Sequence, residues 1–280
     1  MTAELNRYPT PYPEVNFLVD QICKNAQQVF GKGLLGFYLD GSLSYDAFDE
    51  ASDIDFVCVS KEPTSDEQFG ALFQFHERLS DLPNKLAIQI EGFYVSAEQL
   101  RKSMIPEPLV PNIERGPQEK LKWVSLAPVW DVHRQYLYQA GIVVFGVPAE
   151  QLIDPITPAK LRKAMVTWET WLPSLISDPS QVTTRGYQSY IVLTLARILY
   201  TIQNGALASK PQAIEWLKQN GNGEWNDLLE DAWHGRMEPD SPITPGMLAV
   251  MIKLAKFVLD QAKNNGTEID DVISESILRG

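Results

Sequence analysis

The chain has 280 residues, of which 44% are hydrophobic and 21% charged, the balance of a globular protein long enough for two compact units. Its formal net charge of −12 argues against a nucleic-acid partner, which is gripped through a basic footprint, and suits a cationic small molecule. No apolar run reaches the roughly 18 residues that would point to a membrane span.

The start, MTAELNRYPTPYPEVN, lacks a basic segment followed by an apolar stretch, so a cytoplasmic location is expected. Residues 14–30 place Val15, Leu18, Ile22, Ala26 and Val29 near one helical face, and Gly31 and Gly33 then stop the helix. LLGFYLD (34–40) reads as a buried strand, 41–52 as a Gly, Ser and Asp loop, and DIDFVCVS (53–60) as the next strand. A helix is expected over 66–80 and a third strand over 87–96. Pro106, Pro108, Pro111 and Pro117 mark the following stretch as loop or lid. Residues 129–140 read as helix and 142–146 as strand. Cys23, in the first helix, and Cys58, in the second strand, read as buried free thiols, which fits a reducing compartment.

After Asp154–Pro155 the pattern turns helical. TPAKLRKAMVTWETWLPSL opens with Thr157 as cap and Pro158 at the first helical position. YQSYIVLTLARILYTIQNG is a long apolar helix ending at Gly205, and further helices are expected over 210–219, over 224–234 and in ITPGMLAVMIKLAKFVLDQAKNNG. The expected class is α+β: residues 1–155 form a mixed sheet flanked by helices, and residues 156–280 form an all-helical bundle.

The stretch with chemistry in it is GSLSYDAFDEASDIDFVCV, residues 41–59. Asp53 and Asp55 stand two apart at the head of a strand, so both side chains face one side. Two carboxylates held side by side repel each other unless a hard divalent cation, magnesium above all, takes their oxygens. Gly41 lets backbone approach a phosphate closely, and the hydroxyl and amides at Ser42 can bind its oxygens. A strand–Gly-Ser–loop–Asp-x-Asp–strand frame thus offers phosphate positioning and charge neutralisation, the two services phosphoryl-type transfer needs. Glu91, flanked by Ile90 and Phe93, is a charged residue in an apolar strand; it reads as a general base or a further metal ligand. Arg197 lies in the middle of an apolar helix and calls for an anionic partner, a triphosphate or a nearby carboxylate. Lys210 opens a helix, where the dipole does not favour a cation.

Gly41, Ser42, Ser52, Asp53, Ile54 and Asp55 stand at the spacing seen in the streptomycin/spectinomycin adenylyltransferases, a family of the polymerase-β-like nucleotidyltransferase superfamily. GVPAEQLIDPI (146–156) resembles the segment joining that family's two domains, and VLTLARILYTIQNGALASKPQA (192–213) resembles its C-terminal signature helix and the turn beyond it. The resemblance, over about residues 30–265, implies magnesium on Asp53 and Asp55, Glu91 as catalytic base, and Ser42 against the triphosphate of ATP. It also implies Arg197 and Lys210 as ATP contacts. The family's acceptor-reading aspartate, ten residues before the helix Arg, is replaced by Tyr187; Trp171 or Trp168, and Asp178, stand near where its Trp and second acid would be. The expected activity is magnesium-dependent transfer of AMP from ATP to a hydroxyl of an aminoglycoside-like compound. The residues alone leave two alternatives open: a transferase acting on a protein or another metabolite, and a catalytically silent nucleotide-binding protein. The oligomeric state is not legible.

Overall fold

The computed structural model describes residues 9–104, 106–126, 130–168 and 171–264. The chain divides into two compact units, Met1–Pro155 and Ile156–Gly280.

The first unit is built on a six-stranded sheet. Helix α1 (Pro13–Phe30) starts with a proline in its first turn, turns Val15, Leu18, Val19, Ile22, Cys23 and Ala26 inward, and ends at Gly31 with φ 53°. Strand β1 (Leu34–Leu39) follows, then a 3-10 turn (Gly41–Tyr45), strand β2 (Ile54–Ser60) and helix α2 (Asp66–Ser80). Ser65 and Gln68 close a capping box on α2, so the N-terminal amides of the helix are satisfied locally. Strand β3 (Ile90–Ser96) and the short helix α3 (Ala97–Arg101) come next, followed by strands β4 (Leu109–Ile113) and β5 (Lys122–Ser125), helix α4 (Trp130–Ala140) and strand β6 (Ile142–Gly146). The sheet order is β5-β4-β3-β2-β1-β6; β2 and β3 are parallel and the other neighbouring pairs antiparallel.

Alternation along the strands sorts the core into two layers. Phe37, Leu39, Phe56, Cys58 and Tyr94 pack with the apolar faces of α1 and α2. Tyr38, Val57, Val59 and Val95 face the other way and pack with Leu100, Trp130 and Leu137 from α3 and α4. On that second side Arg134, fully buried, pairs with Asp131 one turn back on α4 and reaches Ser103. Both cysteines are free and buried, and burial pushes the Cys23 thiol up to about 12.

Two expectations for this unit need correction. The third strand begins at Ile90 instead of 87, because Lys85–Ile88 wind into a 3-10 turn capped by Asn84. The proline-rich stretch is also not all loop: it holds the β4–β5 hairpin, with Pro111 inside β4 opposite Trp123. Pairing of β4 with β3 is confined to Ile113 with Gly92 and Asn112 with Phe93, past the proline that lacks a donor. The Asn112 side-chain amide adds a bond to the Gly92 carbonyl at 3.1 Å.

The second unit is helical: α5 (Pro158–Trp168), α6 (Leu172–Ser177), α7 (Arg185–Asn204), α8 (Lys210–Asn220), α9 (Asn226–Gly235) and α10 (Pro245–Asn264). Thr157 caps α5 as its sequence suggests. The helical stretch from 157 holds α5 and α6; positions 169 and 170 between them lie outside the described residues, and Pro173 sits in the first turn of α6. Helix α7 is the axis of the unit, packed on α5, α8, α9 and α10. Thr184 caps it and Gly205, at φ 65°, ends it. Its start is tied to α9 and the segment beyond by Arg185, which pairs with Asp231 at 2.7 Å and Glu238 at 2.9 Å. Among the described residues no helix is long and apolar enough to cross a membrane.

Candidate active site

Strands β2 and β3 run parallel in a register that sets Asp55 beside Glu91. Alternation turns Asp53, Asp55 and Glu91 toward the side of the sheet occupied by Val57, Val59 and Val95. All three carboxylates are half-buried, and one oxygen from each lies within 4.8 Å of the others. Holding three acids so close is unfavourable for the fold alone and suits oxygen ligation of a hard cation.

The Gly41–Ser42 turn closes on the same place. Strand β1 is antiparallel to β2, so its end lies at the β2 head, where the Asp40 amide donates to the Asp55 carbonyl at 3.1 Å. Gly41 has φ 62°, and a Cβ built there would stand 1.8 Å from Asp55 Oδ2. The absent side chain is thus the space that Asp55 occupies. Ser42 Oγ is buried with no hydrogen-bond partner among the described residues. A buried hydroxyl left unpaired costs stability, and beside three carboxylates it is a place for a phosphate oxygen that arrives with its cation. The donor set therefore fits magnesium and a nucleotide triphosphate: oxygen-only ligands for the one, a hydroxyl and a glycine turn for the other.

Three residues at the site were not singled out by their sequence. Asp40 looks like the tail of an apolar strand, yet it is buried at the root of the turn. Burial raises its carboxyl to about 7, against the opposing pull of the Gly41 amide, and Oδ1 has no partner among the described residues. Burial likewise raises the Tyr45 hydroxyl, with Tyr136 and Asp40 adding to the effect; the Tyr45 and Tyr136 rings meet edge-on at 5.8 Å. Arg115, two residues past β4, sets Nη1 at 3.1 Å from Asp53 Oδ2. No local pattern announces that contact, since it requires β4 to fold back against β3.

The remaining candidates belong to the second unit. Arg197 is half-buried on α7 between the fully buried Ala196 and Ile198, and its carbonyl accepts from the Thr201 hydroxyl at 3.0 Å. Lys210 is the first residue of α8, behind a Ser209–Gln212 capping box. Tyr187 is 44% exposed, and its ring lies nearly parallel to that of Tyr190, with centroids 6.4 Å apart. Trp171 is half-buried just before α6. Trp168 ends α5. Asp178 is exposed, and hydrogen bonds from the Ser180 hydroxyl first, and from its amide at 3.1 Å second, hold its carboxyl below the usual range. The amide bond caps a 3-10 turn, a structural task for the side chain.

Residues 151–260 match the family model described as aminoglycoside adenylyltransferase, C-terminal domain. Among solved structures the fold is similar to that of spectinomycin adenyltransferase AAD(9) from Enterococcus faecialis, determined with ATP and spectinomycin. The two share a TM-score of 0.65 and 17% identity over 89% of this chain and 99% of that one. The sheet flanked by helices and followed by a helical unit is therefore a fold shared with that solved structure. Over its helical unit the chain is thus similar to the C-terminal domain of the aminoglycoside adenylyltransferases, and over most of its length it shares the fold of that solved enzyme.

Proposed function

We propose that the protein transfers AMP from ATP to a hydroxyl of a cationic, aminoglycoside-like small molecule and releases pyrophosphate. The observation that supports this most is the meeting of Asp53, Asp55 and Glu91 beside the Gly41–Ser42 turn, in a chain whose other unit matches the adenylyltransferase C-terminal domain. The first unit, 1–155, is the transfer unit in this reading, and the second, 156–280, contacts ATP and the acceptor.

Asp53 and Asp55 would hold magnesium, which when bound neutralises charge on the transferring phosphoryl group and the pyrophosphate. Ser42 Oγ and the amides of its turn receive phosphate oxygens. The acceptor hydroxyl oxygen attacks the α-phosphorus; a new P–O bond forms and the bond to the pyrophosphate oxygen breaks. Glu91 takes the hydroxyl proton. Arg197 and Lys210 carry the ATP contacts of the helical unit, and Trp171, Asp178 and Tyr187 are the acceptor-facing candidates. The net charge of −12 draws a polycationic acceptor and disfavours nucleic acid. Two free buried cysteines suit the reducing cytoplasm.

The test is magnesium-dependent pyrophosphate release from ATP with a panel of aminoglycosides, beginning with spectinomycin and streptomycin. Release with one or two acceptors, absent in Asp53→Asn, is the expected result. ATP binding without release on any acceptor would retire the antibiotic reading and leave protein or metabolite acceptors to be tried.

A further inference from the structure

Arg115 reaches one of the three clustered carboxylates. Its Nη1 is 3.1 Å from Asp53 Oδ2, an oxygen of the three-carboxylate cluster. The contact is aimed. Glu114 and Glu119, nearer in sequence, are both engaged by Lys122, at 2.8 and 3.4 Å, while Arg115 turns to Asp53. The loop is pinned next to the site: the Gly116 amide donates to the Ile88 carbonyl at 2.7 Å, just ahead of the strand that carries Glu91. Gly116 has φ 138°, a conformation left to glycine, and this turns the chain immediately after the arginine. The Arg115 side chain is nevertheless 47% exposed against 20% for Asp53, so the guanidinium sits at the rim with water on its outer side. An ion pair of that exposure is weak and exchanges readily.

We propose that Arg115 is a displaceable counter-ion. It neutralises Asp53 in the metal-free protein, yields Asp53 Oδ2 when the metal–nucleotide complex enters, and turns its guanidinium to an oxygen of the triphosphate. Guanidinium matches phosphate oxygens well and stays protonated throughout. During transfer the bond from the acceptor oxygen to the α-phosphorus forms, the bond to pyrophosphate breaks, and the proton goes to Glu91. Arg115 moves no proton; it holds charge on the leaving side. The inference rests on the transfer reading above.

The test compares the full-length wild type with Arg115→Ala and Arg115→Lys. Manganese binding is measured without nucleotide by electron paramagnetic resonance, and ATP binding in magnesium without acceptor by calorimetry. Arg115→Ala should bind manganese about two- to fivefold more tightly, since an exposed competitor is gone. It should bind ATP roughly ten- to a hundredfold more weakly, since a charge-assisted bond is lost. Arg115→Lys should recover part of the ATP affinity. Unchanged affinities would make the contact an incidental surface pair, and weaker manganese binding would make Arg115 a support for the acids; either result overturns the proposal while the transfer reading stands. A wild type that binds no ATP would remove both.

Discussion

Gly41→Ala tests whether the turn and the carboxylates form one device. At φ 62° an alanine is strained, which costs roughly 1–3 kcal/mol. The new Cβ would stand 1.8 Å from Asp55 Oδ2, where ordinary contact begins at 3.4 Å, so the oxygen must retreat by roughly 1.6 Å. A magnesium ligand tolerates displacements of only about 0.2 Å, so Asp55 drops out of the site. Losing one preorganised electrostatic group typically lowers kcat by about 10²–10³-fold. Gly31→Ala is the matched control: its φ is also positive, at 53°, but nothing lies within 4 Å of the added carbon. Thermal unfolding should show both variants several degrees less stable, at about 2–4 °C per kcal/mol. Pyrophosphate release per folded molecule should collapse in Gly41→Ala and stay near wild type in Gly31→Ala. Equal activities in the two variants would refute the shared geometry.

Glu91→Gln preserves shape and removes the proposed base, so kcat should fall about 10²–10⁴-fold while ATP affinity stays within about threefold; a parallel loss of ATP binding would recast Glu91 as a metal ligand. Gly92→Ala would bring a Cβ to 2.3 Å from the Phe56 ring, which is stacked on Phe37 at 5.2 Å and cannot retreat. Overpacking there should cost about 1–3 kcal/mol, relieved by Phe56→Leu, and an unchanged melting temperature would mean the core gives way more easily than argued. His76 is buried against the Tyr94 hydroxyl at 2.9 Å, and burial lowers its pKa from 6.5 to about 3. The unfolded chain therefore binds a proton that the folded chain refuses between those values, so stability is complete above pH 6.5 and drains away as pH falls toward 3. Urea unfolding should show the wild type losing up to about 2 kcal/mol more than His76→Asn between pH 7 and pH 5, and parallel losses would rule out His76 as the source.

What could be read ahead of the fold was whatever is local. The glycine turn, ten residues of loop and the Asp-x-Asp pair lie within one stretch, and alternation alone puts both acids on one face. Glu91 was legible as a charge out of place in an apolar strand, although only the parallel register explains why it meets Asp55. Pro111 hid strand β4, because a proline argues against sheet wherever a donor is needed, and here none is needed. With β4 hidden, the route of the chain past Ile113 was hidden too, and with it the reach of Arg115 to Asp53. Asp40 escaped notice because a polar residue ending an apolar run is ordinary; its burial follows from the closing of β1 on β2.

These residues also explain why the site sits where it does. β2 and β3 are the parallel pair of the sheet, and their heads lie together because α2 carries the chain back across the sheet. The antiparallel β1 brings its tail to the same end, so the Gly41–Ser42 turn and the strand headed by Asp53 and Asp55 meet there. That arrangement concentrates acids: Asp53, Asp55 and Glu91 together, with Asp40 just beneath the turn. Burial pushes Asp40 toward its neutral form, and Arg115 faces Asp53, so part of the crowding among these acids is relieved within the fold. Hydrophobic layers on both faces carry the stability, which leaves the strand heads free to hold groups that a fold optimised only for stability would not collect.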